Sequence, residues 1–356
     1  MAVFNSFFES VSKQFANKLP FVIFSLPESD TVQVILQKDA EVYNTETYAE
    51  ECFVFAPFDY QDKAFCIPKE KGKSFEFKME HKTIDFEEVS IQEELKTKET
   101  YIDKIKNVIV NIKIGNAKKI VFSRKKEVDL KQFDLSILIS RILDLYPTAF
   151  RYIWYHPETG LWCGATPEVL LKTQDISFST MALAGTQKVI DKKISHWSVK
   201  EITEQKIVVD AIATSLQRVT SVLKISKTYN YKAASLVHLR TDISGILKKG
   251  KTTLSSITSV LHPTPAVCGT PQKFAKKYIL ENENYNREFY TGFLGPVCAK
   301  DSCSNLFVNL RCMKIENKKV NLFVGGGITI DSNPESEWEE TNHKLQTMLQ
   351  VLSPML

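Results

Sequence analysis

Two acidic spacings suggest chemistry in a chain of otherwise ordinary composition. Glu337 and Glu340 stand three residues apart, with Lys344 four residues beyond. Far upstream, Glu201 and Glu204 repeat the same spacing. Residues three or four apart on a helix share a face, so each pair presents two carboxylates one turn apart. Such pairs suit a hard cation, which takes oxygen ligands. A lysine one turn further on can hold an anion beside it. Singly, either pair also reads as a solvated acidic turn complementing its helix dipole.

The elements that carry these residues can be read outward from the later pair. The stretch FVGGGITIDSNPESEWEETNHK, residues 323–344, begins as a strand ending in Gly325, Gly326 and Gly327. Asn333 suits an N-cap and Pro334 the first helical position. Trp338, Thr341, Leu345, Met348, Leu349 and Leu352 then recur at helical spacing and should face the core. The earlier pair falls in a long helix expected from about Ser195 to Val222.

The chain has 356 residues, enough for one large or two ordinary domains. Apolar content of 43% and charged content of 25% are globular values. A net charge of +4 gives no case for nucleic acid. No apolar run approaches the ~18 residues of a membrane helix, and the N-terminus does not read as a signal peptide. Seven cysteines without a CxxC spacing suggest reduced thiols and a cytoplasmic setting. Cys298 and Cys303 are potential neighbours, with unpaired core cysteine as the default.

In chain order, residues 3–18 look helical, and 20–25, 31–36 and 51–56 look like strands. Residues 69–82 read as a basic surface loop. Helices follow at 94–114 and 134–145, with a strand at 118–124 between them. Only one of Lys118 and Lys119 can point inward there, because strand neighbours face opposite ways. Strands at 150–155 and 161–165 flank a turn. Then come a short segment at 169–172, a strand at 177–183 closed by Ala184-Gly185-Thr186, a strand at 235–239, a helix at 253–261, and segments 290–295 and 305–311. Many strands lack helices between them. That argues for α+β with a large, mostly antiparallel sheet.

Read together, these segments resemble the chorismate-utilising enzymes, which include isochorismate, salicylate, anthranilate and aminodeoxychorismate synthases. The resemblance covers roughly residues 94–352 and rests on nine motifs in order: KIVFSR, GATPEVLL, ALAGT, KEITE, HLRTDISG, LHPTPAVCGTP, REFYTGFLG, LFVNLRC and GGGITIDSNPESEWEETNHK. It implies one α+β unit, with residues 1–93 as the variable N-terminal part and 94–356 as the chorismate-binding catalytic region. It also implies Mg2+ as cofactor, held by Glu201, Glu204, Glu337 and Glu340. The usual histidine after the first pair is Gln205 here.

The other roles that the resemblance implies follow from a dicarboxylate substrate. Lys119 matches the general base and Glu168 the general acid. Such a base must work as the neutral amine, and such an acid must keep its proton near neutral pH. Tyr290 and Arg311 would meet the enolpyruvyl carboxylate, for which a guanidinium is a planar match. Gly325 and Gly327 would let backbone N–H groups approach an anion. Ala184, Gly185, Thr186, His238, Ala266 and Lys344 complete the expected substrate contacts. Within the family, Lys119 stands where anthranilate synthases usually carry glutamine, and Ala184 where aminodeoxychorismate synthases carry a nucleophilic lysine. No glutaminase-like region is present, so no glutaminase subunit is expected. The segment 261–266 resembles isochorismate synthases. The implied reaction is isomerisation of chorismate to isochorismate, with salicylate synthase as the alternative. A monomer without a membrane partner is expected.

Overall fold

Runs of β-branched and aromatic residues dominate this chain, and in the computed structural model they pair into two antiparallel sheets. The structure describes residues 2–356 except 47, 49, 60–63, 81–83, 85–87, 189–195, 234–235 and 299–302. The nine-stranded sheet runs, in spatial order, Gly269–Thr270, Lys119–Asp129, Lys319–Ile328, Cys312–Glu316, Gly160–Thr166, Phe150–His156, Phe21–Ser25, Thr31–Gln37 and Gly72–Lys78. The ten-stranded sheet runs Thr220–Ile225, Leu236–Leu247, Ser177–Lys188, Val169–Gln174, Cys303–Val308, Phe293–Val297, Cys52–Ala56, Ala64–Pro68 and Tyr43–Thr45, with Tyr229–Ala233 also on Leu236–Leu247. The expected α+β character holds, with the sheet divided in two. Strands from the first 93 residues complete both halves.

The division follows from burial. One cluster joins Val22, Phe24, Trp154 and Trp162 of the first sheet to Phe53, Phe55 and Phe307 of the second, so the sheets pack face to face. The helices Ala2–Ala16, Leu135–Leu145 and Pro334–Leu352 cover the outer face of the first sheet. Val199–Leu216 and Leu254–Leu261 cover the second. Strands buried on both faces lose the in–out alternation of a half-exposed strand; Phe21–Ser25 and Cys52–Ala56 are buried throughout.

The local expectations met several corrections. Residues 69–82 do not form a loop: a short turn at Lys69–Lys71 leads into the edge strand Gly72–Lys78. There Phe75 and Phe77 alternate with charged residues, and two-residue periodicity outweighs basic composition. His81 and Lys82 lie outside the described residues, as do Ser195 and Ser235. The long helix ends at Leu216, because the run from Thr220 to Ile225 pairs with Leu236–Leu247 instead. Ala184-Gly185-Thr186 does not close its strand. The register shifts at Gly185, whose φ of +70° suits glycine, and the strand continues to Lys188. A helix at Gln272–Asn282 was not foreseen. Cys298 and Cys303 are joined as a disulfide with Cα atoms 5.2 Å apart, which corrects the expectation of wholly reduced thiols. The other five cysteines are free and buried.

A buried ion pair ties these pieces together. Arg287 donates to both Glu283 carboxylate oxygens, at 2.7 and 2.6 Å. It also donates to the carbonyls of Val267 and Val121. Glu283 in turn accepts from the Ser123 backbone N–H and hydroxyl. Thus the proline-rich segment 261–271, which contains Val267, is latched onto the strand that starts at Lys119. Removing one partner leaves a charge buried without compensation, which typically costs about 3–5 kcal/mol. Glu283→Gln should therefore lose stability of that order in chemical denaturation, and an unchanged midpoint would remove this latch from the account.

Candidate active site

The chain crosses from one sheet to the other at two places that matter for chemistry. Thr166-Pro167-Glu168 links Gly160–Thr166 of the first sheet to Val169–Gln174 of the second. Asn309-Leu310-Arg311 makes the return crossing, from Cys303–Val308 to Cys312–Glu316. The crossings bond to each other: Val308 N–H donates to Glu168 O at 3.0 Å, and Thr166 Oγ1 donates to Val308 O at 2.6 Å. Beside them the sheets part to form a cleft lined by residues of both sheets.

Thirteen expected site residues line this cleft: Glu168, Ala184, Gly185, Thr186, Glu204, His238, Ala266, Tyr290, Arg311, Gly325, Gly327, Glu340 and Lys344. Lys119, Glu201 and Glu337 are not on its wall. Lys119 is fully buried at the start of its strand, while Lys118 is exposed. Its Nζ lies 3.0 Å from Glu204 Oε1 without a well-directed hydrogen bond. The glycines account for this placement. A Cβ on Gly327 would lie 2.1 Å from Glu204 Oε1 and 2.7 Å from Lys119 Cε, and one on Gly326 would lie 2.7 Å from Glu337 Oε2. The missing side chains make room for the charged groups themselves. Gly325 offers its carbonyl to Lys344 Nζ at 2.8 Å.

Glu201 is the expected ligand that the structure does not bring in. It is the third residue of its helix, and its carboxylate accepts from Ser198 N–H at 2.9 Å and from the Ser198 hydroxyl. Local satisfaction of an otherwise orphaned donor holds it there. Glu204, Glu337 and Glu340 do converge, and Lys200 lies among them. Lys200 Nζ is 3.0 Å from Glu337 Oε1 and 3.3 Å from Glu204 Oε2. Lys344 Nζ is 2.5 Å from Glu340 Oε1. Ser332 Oγ donates to Glu337 Oε1 at 2.6 Å. Sequence reading missed Lys200 and Ser332; the i, i+4 spacing of Lys200 and Glu204 was the available signal. Gln205, in the place of a histidine, donates to Ala182 O and Thr241 Oγ1.

The electrostatics divide the carboxyls. Burial pushes the Glu168 carboxyl up to about 8, against the pull of Lys119, Arg311 and Lys344. Burial also lifts Glu337 to about 7, although Lys200 opposes it. Glu340 goes the other way: despite burial, Lys344 and Lys200 hold it at about 2. Lys119 and Lys200 likewise lower Glu204 against its burial. Burial, followed by Arg311 and Lys344, depresses His238 to about 3, so its imidazole is neutral. Its Nδ1 donates to Gly185 O at 2.9 Å, which leaves Nε2 as an unpartnered acceptor.

Does this donor set fit a divalent cation? Among the described residues, no three acidic, histidine or cysteine side chains already surround one point. Still, the buried Glu204 and Glu337 and the half-buried Glu340 supply the hard oxygen donors such an ion takes. Glu337 Oε2 is buried with no partner. Lys200 is shared between Glu204 and Glu337. The residues fit the ion, with Lys200 in its way.

Two outcomes test this geometry. Gly327→Ala forces a Cβ into Glu204 and Lys119, and overpacking of this kind costs about 1–3 kcal/mol; thermal denaturation measures it. Glu168 is raised from an ordinary 4.5 to about 8. A raised folded-state value gives stability that is complete below the unfolded value and lost as pH rises through the folded one. From about pH 5 to about pH 8, the protein should thus lose stability relative to Glu168→Gln. Parallel pH curves for the two would contradict the burial argument.

With this geometry described, comparison with known proteins adds a family. A family model described as "Chorismate binding enzyme" matches residues 8–353. The chain is 31% identical over 243 residues to isochorismate synthase EntC of Escherichia coli, covering 65% of this chain and 62% of that one. It is 32% identical over 198 residues to isochorismate synthase DhbC of Bacillus subtilis, covering 53% and 50%. In both, the aligned region spans less than two thirds of the relative. Among solved structures, DhbC of Bacillus anthracis superposes with a TM-score of 0.79 at 25% identity, covering 94% of this chain and 96% of that one. The menaquinone-specific isochorismate synthase MenF of Escherichia coli gives 0.77 at 20% identity, covering 94% and 88%, which bears on the fold alone.

Proposed function

The chain belongs to the chorismate-binding enzyme family, and from that premise we propose that it is an isochorismate synthase. The observation that carries this reading is a buried acid on the cleft wall and a buried amine just behind that wall, against Gly327 and Glu204. Glu168 is held in its protonated range at neutral pH, and Lys119 is wholly enclosed. The cleft walls supply cations for a dicarboxylate: Arg311 at the return crossing and Lys344 on the last helix.

In this reading, Lys119 takes a proton from a water that attacks ring C2. Glu168 gives its proton to the C4 hydroxyl as that group leaves, and the ring double bonds shift between the two. Neutral His238 accepts through Nε2 and Arg311 pairs with a substrate carboxylate, with Tyr290 beside it. Ala184-Gly185-Thr186 border the ring. Glu204, Glu337 and Glu340 would hold Mg2+, with Glu201 added if it leaves Ser198. When bound, the ion would neutralise these carboxylates and orient the ring carboxylate. Residues 94–356 carry the chemistry and residues 1–93 complete the two sheets. We further read the protein as a cytoplasmic monomer that needs no glutaminase subunit; Lys119 and Ala184 support water rather than ammonia as the nucleophile.

Incubation of the purified chain with chorismate and Mg2+ should give isochorismate alone; salicylate with pyruvate, or an aminated product, would replace this reading. Acid–base groups typically contribute factors of about 10^2–10^4. Lys119→Ala and Glu168→Gln should each lower kcat by about that much while circular dichroism stays unchanged. The rate should fall above about pH 8, as Glu168 loses its proton.

A further inference from the structure

The acidic pocket already contains a cation, and it belongs to the protein. Lys200 Nζ bridges Glu204 on its own helix and Glu337 on the last helix, at 3.3 and 3.0 Å, with its side chain only 14% exposed. Lys119 pairs with Glu204 alone, and Lys344 with Glu340. Among the described residues, Lys200 is thus the one cation that joins carboxylates from both helices.

We propose that Lys200 is the resident counter-ion of the metal-free pocket. It competes with the divalent cation for Glu204 and Glu337, and so sets how tightly that cation binds. The proposal rests on the metal-site reading above. Three features support it. Buried carboxylates without a cation are costly, so whenever no divalent ion is bound the pocket needs another positive charge. The substitute is incomplete, since Glu337 Oε2 stays buried and unpartnered. It also has a way out: Lys200 lies in the first turn of Val199–Leu216, flanked by Val199 and Ile202, which are 74% and 54% exposed. Rotation of a flexible four-carbon stem can carry Nζ to water while the helix stays in place.

The consequence is quantitative. Apparent affinity falls by the fraction of molecules whose site is free. If Lys200 leaves the pocket free about a tenth of the time, binding weakens roughly tenfold.

Calorimetry with Mg2+ alone tests this on the wild type, Lys200→Met and Lys200→Arg. Lys200→Met should bind Mg2+ roughly tenfold tighter than wild type, the factor just given, and Lys200→Arg no tighter. Unchanged or weaker binding by Lys200→Met overturns the proposal. If that variant does not fold, the wild type answers by itself. Lys200 should be modified by an amine reagent severalfold faster with saturating Mg2+ than without, as mapped by peptide mass spectrometry; equal rates overturn the proposal. A wild type that binds Mg2+ and converts chorismate, yet shows neither effect, loses only the Lys200 role. A wild type that neither binds Mg2+ nor converts chorismate overturns the functional reading, and this inference with it.

Discussion

Charge balance in a closed space is the constraint on which this molecule depends. Glu204 and Glu337 are 6% and 2% exposed, and Glu168 is 3% exposed. A carboxylate so far from water must be paired or must keep its proton. The protein uses both solutions within one cleft. Glu204 and Glu340 are paired with lysines and stay ionised, while Glu168 has no ion pair among the described residues and keeps its proton. The same residue type thus takes two chemical states, set by where each cation stands.

The fold creates that space. Two sheets packed through aromatic side chains form a stiff interior, and the chain must cross between them twice at the cleft. Crossings of this kind put Glu168 and Arg311 on connecting segments whose ends are held by ladders on either side. The Arg287–Glu283 latch fixes the proline-rich segment against the strand of Lys119. A site built this way owes its geometry to rigid elements rather than to its own contacts.

Glycine has a different part here from the one its sequence suggests. A GGG run beside acidic residues reads as an anion-binding backbone. In the fold, Gly326 and Gly327 are paired strand residues whose missing Cβ atoms admit Glu337, Glu204 and Lys119. The requirement for glycine is real, and its cause is the approach of side chains from two helices.

The sequence by itself determined a good deal. Strand alternation and helical spacing located most elements, and only one of Lys118 and Lys119 could point inward because strand neighbours oppose each other. The ordered motifs led to the family. Only the tertiary structure decided the rest, because it depends on contacts between segments distant in the chain. One expected sheet became two, since both faces of many strands are buried. A run that looked like a charged loop became an edge strand by pairing with Thr31–Gln37. Glu201 turned to its own helix start, and Lys200 took a place between two carboxylates. Spacing says which side chains share a face; it does not say which opposite charge reaches them first, because that is settled by distance in space.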